Sequence, residues 1–223
     1  MLRRMIFPIL MGIAGCAVLI WLGNWQLQRM HEKAGVLAEI SAMIGADPVA
    51  LPTAPEEAVD KYRPVALDGR FTGDFVELLA GDGKSVPGVR IIEAFQTGQG
   101  RRILVDRGYL DHDGRATPRP PHEAQVVGNL HWPQDSDAYT APPDPKTGIW
   151  YARDLPAMAE KLGTEPVLVV ARDPTGDGIA PVPVDISNIP NDHWGYAIQW
   201  FALAAVWGVM TLYLLWRIRQ RTV

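Results

Sequence analysis

Two long apolar runs bracket a chain whose middle is built from short, alternating segments. Residues 5–28 and 193–216 each form a stretch of 24 residues without a formal charge, counting His193 as neutral. Either run can cross a hydrocarbon core of about 30 Å at about 1.5 Å per helical residue, so the pattern predicts membrane helices over 6–28 and 193–216. Met30 to Met43 can carry the first helix onward until Gly45, Pro48, Pro52 and Pro55 break it. Between the runs, "YRPVALDGRF", "DFVELLAGDG", "VRIIEAF", "RRILVDRGYL", "AQVVGNL", "GIWYARD" and "EPVLVVARD" have the character of strands. Asp68-Gly69, Asp82-Gly83 and Asp113-Gly114 are the residue pairs that tight hairpins prefer. One helix is expected here, capped by Asp154, with Pro156 in its first turn and Gly163 as its stop. The expected fold class is an integral membrane α+β protein: two antiparallel transmembrane helices enclosing a β-rich extracytoplasmic domain, a curled antiparallel sheet or barrel.

Charge orients this plan. Arg3 and Arg4 precede the first run, and Arg217, Arg219 and Arg221 follow the second, so residues 1–5 and 217–223 read as cytoplasmic. Residues 30–192 hold 15 Lys or Arg and all 25 Asp and Glu, a net charge of −10. An acidic middle of that size fits residues 29–192 as a translocated domain, periplasmic in a bacterial inner membrane, and argues against nucleic acid as a partner. Cys16, the single cysteine, excludes an intramolecular disulfide. Ile13-Ala14-Gly15-Cys16 after a basic start resembles a lipoprotein cleavage box, but the apolar run continues to Leu27 where a polar tether would follow, which favours an uncleaved anchor in lipid.

Several apparent motifs fail on spacing. "GDGKS" from Gly81 looks like the end of a phosphate loop, yet Leu78 stands where its first glycine belongs. "DPTGDG" from Asp173 looks like a calcium loop, yet its twelfth position is Val184. Both read as hairpin turns. Ser41, Ser85, Ser136 and Ser187 are the only serines, and none lies in a nucleophile elbow. His31, His112, His122 and His131 lack metal-ligand spacing. No catalytic constellation emerges, so an enzyme is not expected.

Chemistry gathers instead at the inner ends of the two runs. "GNWQLQRMHEK" ends the first, and "NDHWGYAIQW" begins the second, so antiparallel spans bring Trp25, Gln26 and Arg29 to the depth of His193. Trp21, Trp25 and Arg29 recur every four residues; His193, Tyr196 and Trp200 are three or four apart. Two aromatic-lined faces meeting below a histidine and an arginine could hold an amphipathic ring system, with imidazole on a metal centre and arginine on surface carboxylates. Spacing alone favours a plainer reading, an interfacial aromatic belt with a snorkelling arginine.

Four patterns in order resemble those of the Surfeit-locus family over nearly the whole chain. They are Gly23, Trp25, Gln26, Arg29 and Lys33; Tyr62, Pro64, Val65, Gly69 and Phe71; Val105, Arg107 and Gly108; and Asn191, His193, Tyr196, Ala197, Trp200 and Phe201. Glu32 and Tyr109 stand where the family often has tryptophan, and Asp192 where it has asparagine. The resemblance implies a non-enzymatic assembly factor for haem–copper cytochrome oxidase, binding haem A and helping deliver it to the oxidase catalytic subunit. Haem A synthase is a candidate further partner. A structural chaperone that carries no haem is the alternative. The resemblance makes His193 the expected axial ligand of the haem iron. Pairing of Arg29 with haem carboxylates, and Trp25, Gln26, Tyr196 and Trp200 as pocket walls, are expectations added to it. Arg107 is expected to pair with an acidic neighbour in the sheet, beside a bulge or close approach at Gly108.

Overall fold

A computed structural model describes residues 2–81, 87–187 and 189–220. The Asp82-Gly83 pair, most of "GDGKS" including Ser85, Arg221, and the side chains of Arg3 and Arg4 lie outside that description. In chain order the elements are α1 (Leu2–Ile44), β1 (Val49–Ala50), α2 (Glu57–Asp60), β2 (Pro64–Gly81), β3 (Pro87–Thr97), β4 (Arg102–Asp111), β5 (His122–His131), α3 (Leu155–Leu162), β6 (Leu168–Ala171) and α4 (His193–Gln220). They fall into two compact units, residues 1–39 with 186–223, and residues 40–185.

The first unit is an antiparallel helix pair. α1 and α4 are each long and apolar enough to cross a membrane. The expected run beyond Met30 is helical, and Gly45 follows the last turn, as the sequence predicts. Glycines on α1 make room for large side chains of α4: a Cβ on Gly15 would lie 2.2 Å from Trp207 Nε1, and one on Gly23 2.6 Å from Phe201 Cε1. Covered or half-covered positions recur every three or four residues, at Gly12, Cys16, Leu19, Gly23 and Gln26 on α1 and His193, Ala197, Phe201, Ala204, Gly208 and Thr211 on α4. That spacing marks the seam along which the two helices pack. Away from it the helices expose Phe7, Ile13, Val18, Val206, Val209 and Leu212.

The second unit is a mixed sheet ordered β1-β2-β3-β4-β6-β5, and β2 also pairs with β5. That extra pairing closes β2, β3, β4, β6 and β5 into a small Greek-key barrel of the OB type, leaving β1 as a parallel flap on β2. The expected barrel is present, but it is not purely antiparallel, because β4 and β6 run parallel. Parallel neighbours need a crossover, and α3 lies in the connection from β5 to β6. Strands covered on both faces read as unbroken apolar runs. Ile103, Val105 and Val169 fill the barrel interior, while Leu104, Leu168 and Val170 pack with Leu155, Met158 and Leu162 of α3. The α3 boundaries are as the sequence predicts: Asp154 accepts from Ala157 N at 3.1 Å, and Gly163 closes the helix at φ 62°.

Other expectations are corrected. "YRPVALDGRF" and "DFVELLAGDG" form one bent strand, β2, whose register on β3 shifts between Phe71 and Phe75 around Gly73. Asp68-Gly69 therefore sits inside a strand and not in a turn: a Cβ on Gly69 would meet Gln96 O at 2.1 Å where β2 passes from β5 to β3. Asp113-Gly114 lies in a 3-10 turn, Asp113–Ala116. "GIWYARD" contributes only a single bridge, Leu78 to Trp150, because Trp150 packs into the cluster beside α3. "DPTGDG" makes no hairpin; it is a loop after β6 drawn onto the barrel by Arg107.

Candidate functional site

Within the helix pair, the head of α4 meets the stretch of α1 around residues 23 to 30. Phe201 rests on Gly23, and Asn191 Nδ2 donates to Met30 O at 3.4 Å, tying the residues before α4 to α1. Between these two contacts His193 Nδ1 lies 2.8 Å from Gln26 Oε1. Both side chains occupy seam positions and are half-buried. The expected meeting of His193 with the exit of the first run is therefore observed, and its partner is Gln26.

The remaining candidates stand elsewhere on the helices. Trp200 is half-buried, one residue from Phe201 of the seam. Trp21, Trp25 and Tyr196 are exposed, so the aromatic stripe of α1 faces away from α4 and the two aromatic faces do not meet. A four-residue repeat keeps Trp21, Trp25 and Arg29 on one side of a helix, and the seam follows a different stripe, through Gly23 and Gln26.

Arg29 is exposed and pairs with Glu32 at 3.2 Å, while Gln28 Nε2 also donates to Glu32 at 3.0 Å. Glu32, one of the residues that depart from the pattern, thus holds the arginine that was expected at the site. Sequence reasoning gave Glu32 no partner, although the i to i+3 spacing from Arg29 carries that signal. Asn191 was also missed as a site residue. Its Oδ1 is buried and has no hydrogen-bond partner among the described residues, which leaves an acceptor available two residues before His193.

Arg107 belongs to a different place. It sits in the barrel at a register shift between β3 and β4, with Gly108 beside it at φ 114°, where a Cβ would meet Ala180 O at 2.1 Å. Its guanidinium is fully buried, donates to Glu93, Thr175 and Asp177, and lies 4.3 Å from the centre of the Phe71 ring. Both expectations for this segment hold: an acidic neighbour in the sheet, and a close approach at the glycine. Four hydrogen bonds use nearly all the donors that an arginine has, so little is left for a ligand.

Comparison with known proteins gives a consistent set of relatives. A family model described as "SURF1 family" matches residues 13–205. Surfeit locus protein 1 of Rattus norvegicus is 28% identical over 208 residues, covering 82% of this chain and 68% of the rat protein. The SURF1-like protein of Rickettsia bellii is 27% identical over 220 residues, covering 92% and 88% of the two chains. The SURF1-like protein of Monosiga brevicollis is 28% identical over 215 residues, covering 86% and 82%.

Proposed function

Because the chain belongs to the SURF1 family, we propose that it is a non-catalytic assembly factor for cytochrome oxidase, taking up haem A as cargo and passing it to the oxidase catalytic subunit. The observation that carries this reading is the half-buried imidazole of His193, held 2.8 Å from Gln26 at the junction of two apolar helices. An imidazole there supplies a nitrogen donor for iron at the polar end of a long apolar helix pair, which suits a cargo with a polar edge and an apolar tail. Trp200 is half-buried on the same helix as that nitrogen, and Trp25 and Tyr196 are exposed aromatics at the same end of the helix pair, open to a ligand rather than to each other. Arg29 is a cation for carboxylates once Glu32 is displaced.

A single histidine with a weak or absent second axial ligand would hold the iron yet release it to a site with better coordination. In this reading α1 and α4 span the inner membrane of a bacterium with both termini in the cytoplasm and the barrel in the periplasm. Support for that comes from the arginines at the outer ends, the acidic middle, the exposed apolar faces of both helices and the relative in Rickettsia bellii. Haem A synthase is a proposed further partner.

The test is to express the chain in membranes that make haem A, purify it in mild detergent, and compare bound haem in wild type and His193→Ala. Haem A on the wild type and its loss from a folded variant is the expected result. Haem-free wild type that still co-purifies with an oxidase subunit overturns the carrier reading in favour of a structural chaperone. Equal haem on both proteins removes His193 as the ligand.

A further inference from the structure

We propose that Gln26 is the positioning residue for His193: it holds the proton on Nδ1 and thereby keeps Nε2 as the free, ligating nitrogen. This rests on the reading of His193 as the iron ligand. The argument begins with the contact itself. His193 Nδ1 and Gln26 Oε1 are 2.8 Å apart. A carbonyl oxygen only accepts, so with Gln26 Oε1 turned to the ring the proposed tautomer carries its hydrogen at Nδ1, and a neutral imidazole has one such hydrogen. The lone pair then resides on Nε2, for which no protein partner is present among the described residues.

Surroundings make the arrangement selective. Both side chains are half-buried seam groups on helices that meet at Gly23 and Phe201, so water competes less for the imidazole than at an open surface. Gln26 is itself fixed by its position on α1, three residues from Gly23, where Phe201 of α4 locks the helices in register. Asn191 adds a second tie, to Met30 O, so the first turn of α4 cannot rotate freely about the contact. A metal-binding histidine commonly donates its other ring N–H to a neighbouring acceptor, which fixes tautomer and ring orientation, and loss of such a partner typically costs 10–100-fold in affinity. A bond that served only to join the helices would leave ligand affinity unchanged.

The experiment uses full-length protein in detergent, labelled with 15N-histidine and free of haem, in wild type, Gln26→Leu and Gln26→Glu. The signal of His193 is assigned by its disappearance in His193→Gln. The expected result is an Nδ1–H tautomer in wild type and Gln26→Glu, and a shift towards Nε2–H in Gln26→Leu. Titration with haem A should then give affinity about 10-fold weaker or worse in Gln26→Leu, with recovery in Gln26→Glu. An Nε2–H tautomer in wild type, or the same tautomer in wild type and Gln26→Leu, overturns the role of Gln26 whatever the haem titration gives. Equal haem affinity in wild type and Gln26→Leu despite a tautomer change overturns it as well. A tautomer change in protein that takes up no haem A upholds the contact and overturns the iron-ligand reading on which the proposal rests.

Discussion

Arg107 and Glu93 face each other across β4 and β3 with Nη1 and Oε2 2.7 Å apart and no solvent exposure on either side chain. Glu93 also accepts from Gly73 N at 2.9 Å, so the same carboxylate fixes the bend in β2. Arg107 reaches the loop after β6 through Thr175 and Asp177. One ion pair therefore joins three strands and a loop. Removing Arg107 leaves Glu93 as an uncompensated charge in the barrel, at a cost of about 3–5 kcal/mol, whereas removing Glu93 leaves Arg107 paired with Asp177 and strips Gly73 N of its acceptor. Arg107→Met and Glu93→Leu should each lower the unfolding temperature of the full chain in detergent by many degrees. The double variant should recover much of the loss, because replacing both partners leaves neither of the two charges stranded. A double variant no more stable than either single one would contradict this account.

Gly15 gives a second prediction, for the helix pair. Its missing Cβ is the space that Trp207 fills, and Trp207 Nε1 donates to Met11 O at 3.4 Å. Gly15→Val must push the indole aside or part the helices, so Trp207 fluorescence should change and detergent stability fall. Gly35, on the same helix, has nothing within 4 Å of an added Cβ, and Gly35→Ala should be neutral or slightly stabilising, by up to about 1 kcal/mol from helix propensity. Equal effects of the two substitutions would refute a close-packed seam at Gly15.

Local signals were legible in the sequence, and long-range ones were not. Asp154, Pro156 and Gly163 bound α3 because capping is decided within one turn. Gly108 announced a bulge or close approach through its residue type, which suits its φ of 114°, but the segment that approaches it, at Ala180, could not be read from nearby residues. The parallel pairing of β4 with β6 depends on how a crossover packs, and no short stretch encodes it. Trp150 reads as a strand residue yet spends its surface on α3. At the site, the tryptophans drew the eye to a four-residue stripe. The seam was written in smaller residues, Gly12, Cys16, Leu19, Gly23 and Gln26, whose alternating four and three spacing meets its like on α4. That pattern, and not the aromatic stripe, pairs Gln26 with His193.

Glu32 predicts a modest tuning of cargo affinity. It shares Arg29 with any carboxylate that approaches, and both side chains are about half exposed, at 56% and 49%. Exposed pairs contribute about 0–1 kcal/mol, so Glu32→Gln should tighten haem A uptake by about fivefold at most, with the gain shrinking as salt rises. Arg29→Gln should weaken uptake and make it insensitive to residue 32. Tighter uptake in Glu32→Gln that persists in the Arg29→Gln background would show that Glu32 acts by another route.

His131 sets the final expectation, a pH dependence of the barrel. It ends β5 with its Nδ1 buried and unpartnered among the described residues, and its ring lies 5.8 Å from that of Tyr62. Burial, reinforced by the positive charges of Arg153 and Lys61, lowers its pKa to about 4. The unfolded chain, with an ordinary imidazole near 6.5, therefore binds more protons than the folded one between those values. The stability that neutral His131 contributes is fully present above about pH 6.5 and is lost as pH falls towards 4. Carboxylates titrate at the lower end of this window, so the comparison must be with a variant that lacks only the imidazole. His131→Gln should flatten the upper part of the curve, from about pH 6.5 to 5, when unfolding of the full chain is followed against pH. Parallel curves for wild type and variant across that interval would mean that His131 keeps an ordinary pKa in the folded barrel.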